Sequence, residues 1–210
     1  MSDATRYPVP ASRGRAEHVI DRSRFICTLQ RARSPEEAQE FVREMKQEFA
    51  AATHNCWAFV AGPPGSTGRI GMSDDGEPHG TAGRPMLTVL LHSGVGEVAG
   101  VVTRYYGGTK LGTGGLVRAY SAAVQAALEM LPRIERVELR EIGVTVGYAH
   151  ISAVLHALPA VEAEMVSETY DVDVHYRIRV PVERLDALRA ALSNATGGQV
   201  EIAEPQQPAE

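Results

Sequence analysis

The sequence predicts an α+β chain built from two domains. Three observations carry that expectation. Fifteen of the twenty glycines fall between Gly62 and Gly115. The charge balance changes along the chain: residues 1–137 hold 16 basic and 14 acidic side chains, and residues 138–210 hold 5 and 12. After residue 138 the apolar spacing switches between strand and helix periods in the order βαββαβ. At about 100–200 residues per domain, 210 residues allow one large domain or two small ones, and the charge step favours two. With 44% hydrophobic and 22% charged residues, disordered, collagen-like and disulfide-stapled classes are excluded. No apolar run approaches the ~20 residues that span a bilayer, and the first residues lack the apolar stretch of a signal peptide. No membrane partner is expected. Two cysteines without an export signal point to the reducing cytoplasm. The net charge of −5 argues against bulk electrostatic binding of nucleic acid, but leaves room for a local basic patch.

The elements follow in chain order. Residues 1–16 read as a flexible tail, polar and rich in Pro, Ser and Arg. Glu17 to Ala32 suits one or two strands. The next helix is marked by Ser34 as N-cap, Pro35 at the first helical position and Glu37 completing a capping box. Ala38, Phe41, Val42, Met45 and Phe49 give it one apolar face. Cys56 to Ala61 is a short buried strand, closed by the turn Gly62-Pro63-Pro64-Gly65. Residues 74–85 are too glycine-rich for a regular element, and Pro85 starts a helix that Gly94-Val95-Gly96 breaks. Val98 to Tyr105 is a β-branched strand. A glycine loop, Gly107 to Gly115, leads to a helix carrying Leu116, Val117, Tyr120, Val124, Ala127, Leu128 and Leu131. Residues 133–138 read as a connector. The strand Leu139 to Gly147, the helix Ala149 to Leu158, the strands Ala163 to Thr169 and Val172 to Val180, a helix from Pro181 and the strand Gln199 to Ala203 complete a split βαβ, the ferredoxin-like pattern. Domains of 17–137 and 138–204 follow, with 205–210 a second flexible tail.

Two loops concentrate the candidate chemistry. In the second, Gly107, Gly108, Gly112, Thr113, Gly114 and Gly115 sit between a strand and a helix, with Lys110 and Arg118 nearby. Glycines admit close approach of a ligand, and helix N-termini attract anions. A tight turn serving helix–sheet packing is the alternative, and the loop is neither a Walker A motif nor a dinucleotide fingerprint. In the first loop Asp74, Asp75 and Glu77 offer three carboxylates. They suit a hard cation, pairing with basic groups, or capping of the Pro85 helix; no metal or cofactor is assigned. Arg84 suits either a phosphate or an ion pair with Asp75 or Glu77. Arg104, Tyr105 and Tyr106 are a candidate nucleic-acid surface, but strand alternation sends neighbouring side chains to opposite faces. His54 and Cys56 share a strand face, where a structural role outweighs a nucleophilic one.

The string Val101-Val102-Thr103-Arg104-Tyr105-Tyr106-Gly107-Gly108-Thr109-Lys110-Leu111-Gly112, together with Asp74-Asp75-Gly76-Glu77-Pro78 and Gly80-Thr81-Ala82-Gly83-Arg84-Pro85, resembles the YigZ/IMPACT family, in its bacterial two-domain branch. The resemblance covers about Arg22 to Ala203. It implies an N-terminal domain with the ribosomal protein S5 domain 2-like fold. It also implies a C-terminal ferredoxin-like domain similar to the last domain of elongation factor G. Family membership says less about chemistry; the expected function is a translation-associated regulator or binding protein, ahead of an enzyme. RNA, the ribosome or another anionic ligand would meet Arg84, Arg104, Tyr105, Tyr106, Lys110, Arg118 and the glycine loop. A translation-related protein is the other expected partner, and the acidic second domain suits a basic one. Two alternatives stand beside this reading. One is an enzyme acting on a small phosphorylated or nucleotide-like substrate, and the other a protein–protein adaptor without a ligand.

Overall fold

The computed structural model describes residues 5–204. The chain divides into two compact units, Met1–Arg136 and Val137–Glu210.

The first unit is built on a five-stranded antiparallel sheet. Its strands are β2 (Gly14–Ile20), β3 (Ser23–Arg31), β4 (His54–Val60), β5 (Ile70–Ser73) and β6 (Val98–Tyr105), in the spatial order β2-β3-β6-β4-β5. Asp21 and Arg22 both have positive φ, the conformation of a type I′ turn, and so close the β2–β3 hairpin tightly. Helix α1 (Pro35–Glu48) covers one face, packing Phe41, Val42 and Met45 on Phe59, Ala99 and Val101. Helices α2 (Gly83–His92) and α3 (Gly112–Glu129) cover the other, packing Met86, Leu90, Leu116 and Val124 on Phe25, Cys56, Ala58 and Val102. The sheet is therefore buried on both sides, which is why β6 opens as a continuous apolar run, Val98 to Val102, rather than an alternation. The start of α1 follows from its sequence: Ser34 Oγ accepts the Glu37 N–H, and the Glu37 carboxylate accepts the N–H of Arg33.

The second unit folds β8 (Leu139–Val146), α4 (Ile151–Ala157), β9 (Glu164–Tyr170), β10 (Val174–Pro181), α5 (Leu185–Ala195) and β11 (Glu201–Ala203). Its sheet has the order β11-β8-β10-β9, all antiparallel. Ile142, Val144, Val146, Tyr176 and Ile178 form its core with Val154, Leu188 and Leu192. Among the described residues no helix is long and apolar enough to cross a membrane.

Several expectations need correction. Residues 6–10, read as tail, form β1 (Arg6–Pro10), which pairs with β7 (Arg133–Val137), read as connector. Tyr7 and Val9 are buried. Residues 14–16 belong to β2 rather than to a tail. Helix α2 begins two residues ahead of Pro85 because Asp74 caps it there. Strand β5 lies in a stretch whose sequence carries no strand signal. After Pro181 the chain makes a short 3-10 turn before α5 starts at Leu185. The tails at 1–4 and 205–210 lie outside the described residues.

Candidate functional site

The register of the sheet places Phe25, Arg104 and His54 side by side on the α2/α3 face, at one end of the sheet. Arg104 is 5% exposed. A buried guanidinium requires a partner, and it has one: Arg104 Nη1 donates to Glu77 Oε1 at 2.6 Å. Its Nη2 lies 3.4 Å from Ser23 Oγ, and its plane sits between the rings of Phe25 and Tyr106. Arg104 Nε is buried without a hydrogen-bond partner. The same Glu77 oxygen accepts the Tyr120 hydroxyl at 2.7 Å. Tyr120 in turn lies 3.3 Å from Cys56 Sγ, which is 2.9 Å from the Asp74 carbonyl oxygen. Burial pushes the Cys56 thiol well above its ordinary pKa. That disfavours the thiolate a nucleophile needs, so the His54–Cys56 pair serves the fold. His54 Nδ1 sits 2.8 Å from the Asp75 carbonyl oxygen.

The three loop carboxylates have three separate tasks. Asp74 Oδ1 accepts from the N–H groups of Ala82 and Gly83 at 3.0 and 2.8 Å, and Oδ2 from Gly80 at 2.7 Å, so Asp74 caps α2 from outside the helix. Asp75 takes Lys46 Nζ at 2.6 Å and the Asn55 N–H at 2.7 Å. Glu77 holds Arg104. Burial opposes ionisation of Asp74, but the three backbone donors outweigh it and leave its pKa below the ordinary value. The stability contributed by that shift is therefore complete above the unfolded-state value of 3.8 and is lost as pH falls through the lower folded value. Asp74→Ala should cost about 1 kcal/mol, as for other helix caps when removed, and should flatten the stability profile below about pH 4. Urea denaturation of both proteins across that range checks it.

The loop after β6 brings a second set of candidates together. Arg104, Tyr106, Lys110, Gly112 and Thr113 line one cleft of about 390 Å³ with Glu77, Pro78, Leu111 and Leu116. Alternation decides the aromatic pair. Tyr106 shares the cleft with Arg104, whereas Tyr105 faces away, its ring under the Arg24 guanidinium. Gly107 is required by contact, since a β-carbon there would sit 2.0 Å from the Arg22 carbonyl carbon and oxygen. Helix α3 starts at Gly112, earlier than expected, so Gly112, Gly114 and Gly115 form its first turn. No side chain caps that start and no acidic residue lies in the turn. A β-carbon at Gly114 would meet nothing within 4 Å. Packing thus does not demand glycine at 114, although glycine weakens a helix.

Other candidates lie elsewhere. Arg84 is exposed on the first turn of α2, over a hollow shared with Ser73, Asp74 and His79, and pairs with neither Asp75 nor Glu77. Arg118 is exposed on α3 outside the cleft, and Gly107, Gly108, Gly114 and Gly115 do not line it. Sequence reasoning missed Ser23 and Tyr120. Ser23 is an ordinary hairpin residue by sequence, and Tyr120 sits in the apolar stripe of α3 with nothing to mark its hydroxyl as the second donor to Glu77.

Comparison with known proteins covers both units. Residues 21–128 match the family model described as the Impact N-terminal domain, and residues 144–199 match a domain of unknown function (DUF1949). An IMPACT family member of Haemophilus influenzae is 39% identical over 196 residues, 93% of this chain and 95% of its own. IMPACT family member YigZ of Escherichia coli is 37% identical over 194 residues, 92% and 95% of the two chains. IMPACT family member YvyE of Bacillus subtilis is 37% identical over 191 residues, 91% and 87% of the two chains. A crystal structure described as that of an hypothetical protein superposes with a TM-score of 0.66 at 35% identity, covering 97% of this chain and 98% of that one.

Proposed function

Because the chain belongs to the IMPACT family, we propose that it is a binding and regulatory protein that holds an anionic ligand in the cleft between the end of β6 and the start of α3. One observation carries this reading. The first turn of α3, which has no side-chain cap, supplies Gly112 and Thr113 to the same cleft that Lys110 and Arg104 line, and Arg104 Nε is buried without a hydrogen-bond partner. Uncapped amides and an adjacent ammonium attract phosphate or carboxylate oxygens. Tyr106, which is 47% exposed, supplies a ring for a flat group such as a base. RNA or the ribosome is the proposed source of the anion. The likeness to the ribosomal protein S5 domain 2 and to the last domain of elongation factor G that the family resemblance implies for the two units would favour that source, and a cytoplasmic site of action. It is an analogy of fold.

Arg104 is an unsuitable probe, because its loss removes the partner of Glu77. Lys110→Ala and Gly114→Ala test the site instead. Lys110→Ala should weaken binding of labelled oligouridylate and of ribosomes several-fold. It should also reduce the salt slope by about 0.7, the share of one phosphate neutralised on a single strand. Gly114→Ala should raise folding stability by up to about 1 kcal/mol, since glycine is a poor helix residue; Gly114 does not itself line the cleft, but a methyl on the first turn should weaken the same binding by crowding a ligand held on that turn's amides. Unchanged affinity in both variants, measured by fluorescence anisotropy, overturns the site.

The cleft's volume of about 390 Å³ and its apolar walls also favour a second reading, a small phosphorylated ligand. A thermal shift given by nucleotides but not by oligouridylate would select it.

A further inference from the structure

The second unit carries a surface around the β9–β10 turn that the cleft reading leaves unused. Tyr148, Tyr170 and Val172 are 53%, 56% and 85% exposed there. The rings of Tyr148 and Tyr170 lie 6.3 Å apart, tilted by 30°. The Tyr148 hydroxyl donates to the Asp171 carbonyl oxygen at 2.7 Å, which ties the turn before α4 to the tip of the hairpin and holds the rings in place. Carboxylates surround them. Glu168 shares a strand face with Tyr170, and Asp171 and Asp173 flank Val172. A β-carbon at Gly147 would come within 3.9 Å of Asp173 Oδ1, which sets that carboxylate beside Tyr148. Among the described residues no Lys or Arg pairs with Glu168, Asp171 or Asp173. Between Arg140 and Arg177 the sequence holds six acidic residues and neither Lys nor Arg. Tyr176, opposite Glu168 in the β9–β10 register, buries a hydroxyl that has no partner.

We propose that this surface docks a cationic polypeptide segment. An Arg or Lys side chain lies on the Tyr148 and Tyr170 rings, its charge meets Glu168, Asp171 and Asp173, and its apolar stem covers Val172. Charge complementarity selects this occupant. Aromatic faces attract cations, no basic side chain of the unit already neutralises the three carboxylates, and long basic side chains cover apolar surface with their methylenes. The same carboxylates repel phosphate, so nucleic acid is not the occupant. The proposal stands independently of the cleft in the first unit.

The test uses the full chain and fluorescence anisotropy with three labelled probes: a peptide alternating Arg and Gly, one alternating Glu and Gly, and a short oligothymidylate. The Arg–Gly peptide should bind and the other two should not. Tyr170→Ala and the charge-removing pair Asp171→Asn plus Asp173→Asn should each weaken that binding by about tenfold. Removing equal charge elsewhere on the unit, by Asp186→Asn plus Glu201→Gln, should change it by less than about twofold, as expected for screened, distant charges. Equal losses from tip and control variants would reduce the effect to net charge and overturn the proposal. So would unchanged binding in the tip variants, or oligothymidylate binding that depends on Tyr170. Sedimentation of the free chain adds a further arm: a dimer that Asp171→Asn plus Asp173→Asn dissociates would make the occupant a second copy and likewise overturn it.

Discussion

Replacing Arg104 by alanine should destabilise the protein by about 3–5 kcal/mol, the usual cost of breaking a buried ion pair from one side. The side chains of Arg104 and Glu77 are 6% and 3% exposed, so solvent screening does not soften the loss. The variant leaves the Glu77 carboxylate buried with the Tyr120 hydroxyl at 2.7 Å and His54 Nε2 at 3.9 Å, and opens a space between Phe25 and Tyr106. Removing both charges, as in Arg104→Met plus Glu77→Gln, should recover much of the loss, because the desolvation cost disappears along with the attraction. Urea denaturation of the two single variants and the double variant gives the coupling energy. A single-variant loss below about 1 kcal/mol, the range of exposed pairs, would mean that the pair is solvated in solution.

Removing the Glu97 side chain should cost about 3 kcal/mol by the same rule. Its carboxylate is 9% exposed and takes Arg31 Nη2 at 2.8 Å, Arg136 Nε at 2.9 Å and the Tyr7 hydroxyl at 3.0 Å. These interactions join the β1–β7 pair to the end of β3 and the start of β6, two interior strands of the main sheet, so hydrogen exchange at residues 133–137 should accelerate along with the loss. Glu97 also has a φ of +48°. Glu97→Gly should therefore be less damaging than Glu97→Ala by about 1 kcal/mol, since alanine keeps the left-handed strain and glycine relieves it. The same cluster sets a response to base. Burial, and then the Glu97 charge, push the Tyr7 phenol up to about 12 from an ordinary 10.0. The folded state keeps its proton where the unfolded chain has lost it, so stability falls as pH rises from 10.0 towards 12. Glu97→Ala should remove part of that fall.

The candidate site was legible in composition and opaque in pairing. The glycine run, Lys110 and Arg104 with Tyr106 could be picked from spacing alone; Tyr105, counted with them in the expected ligand surface, faces away from the cleft, because period-2 alternation turns neighbouring side chains to opposite faces. Nothing local distinguished Arg104, which is buried and neutralised, from Arg84 and Arg118, which are exposed. Three carboxylates within four residues resembled one acidic cluster. They are instead a helix cap, an ion-pair partner of α1 and the counter-ion of β6, because the turn with positive φ at Asp75 and Gly76 points them in different directions.

The division follows the range of the forces involved. The Ser34–Pro35–Glu37 helix start, the buried run of β6 and the βαββαβ order of the second unit depend on neighbours a few residues away, so the sequence by itself determined them. Strand β1 could not be read, because its partner β7 lies more than 120 residues along the chain, and five residues that include two prolines carry no strand signal without that partner. Which carboxylate meets Arg104, and which side chains share the cleft with Lys110, depends on strand register and on where two loops are carried by α2 and α3. Only the tertiary structure decided those matters, since a buried charge chooses its partner by the space that packing leaves around it.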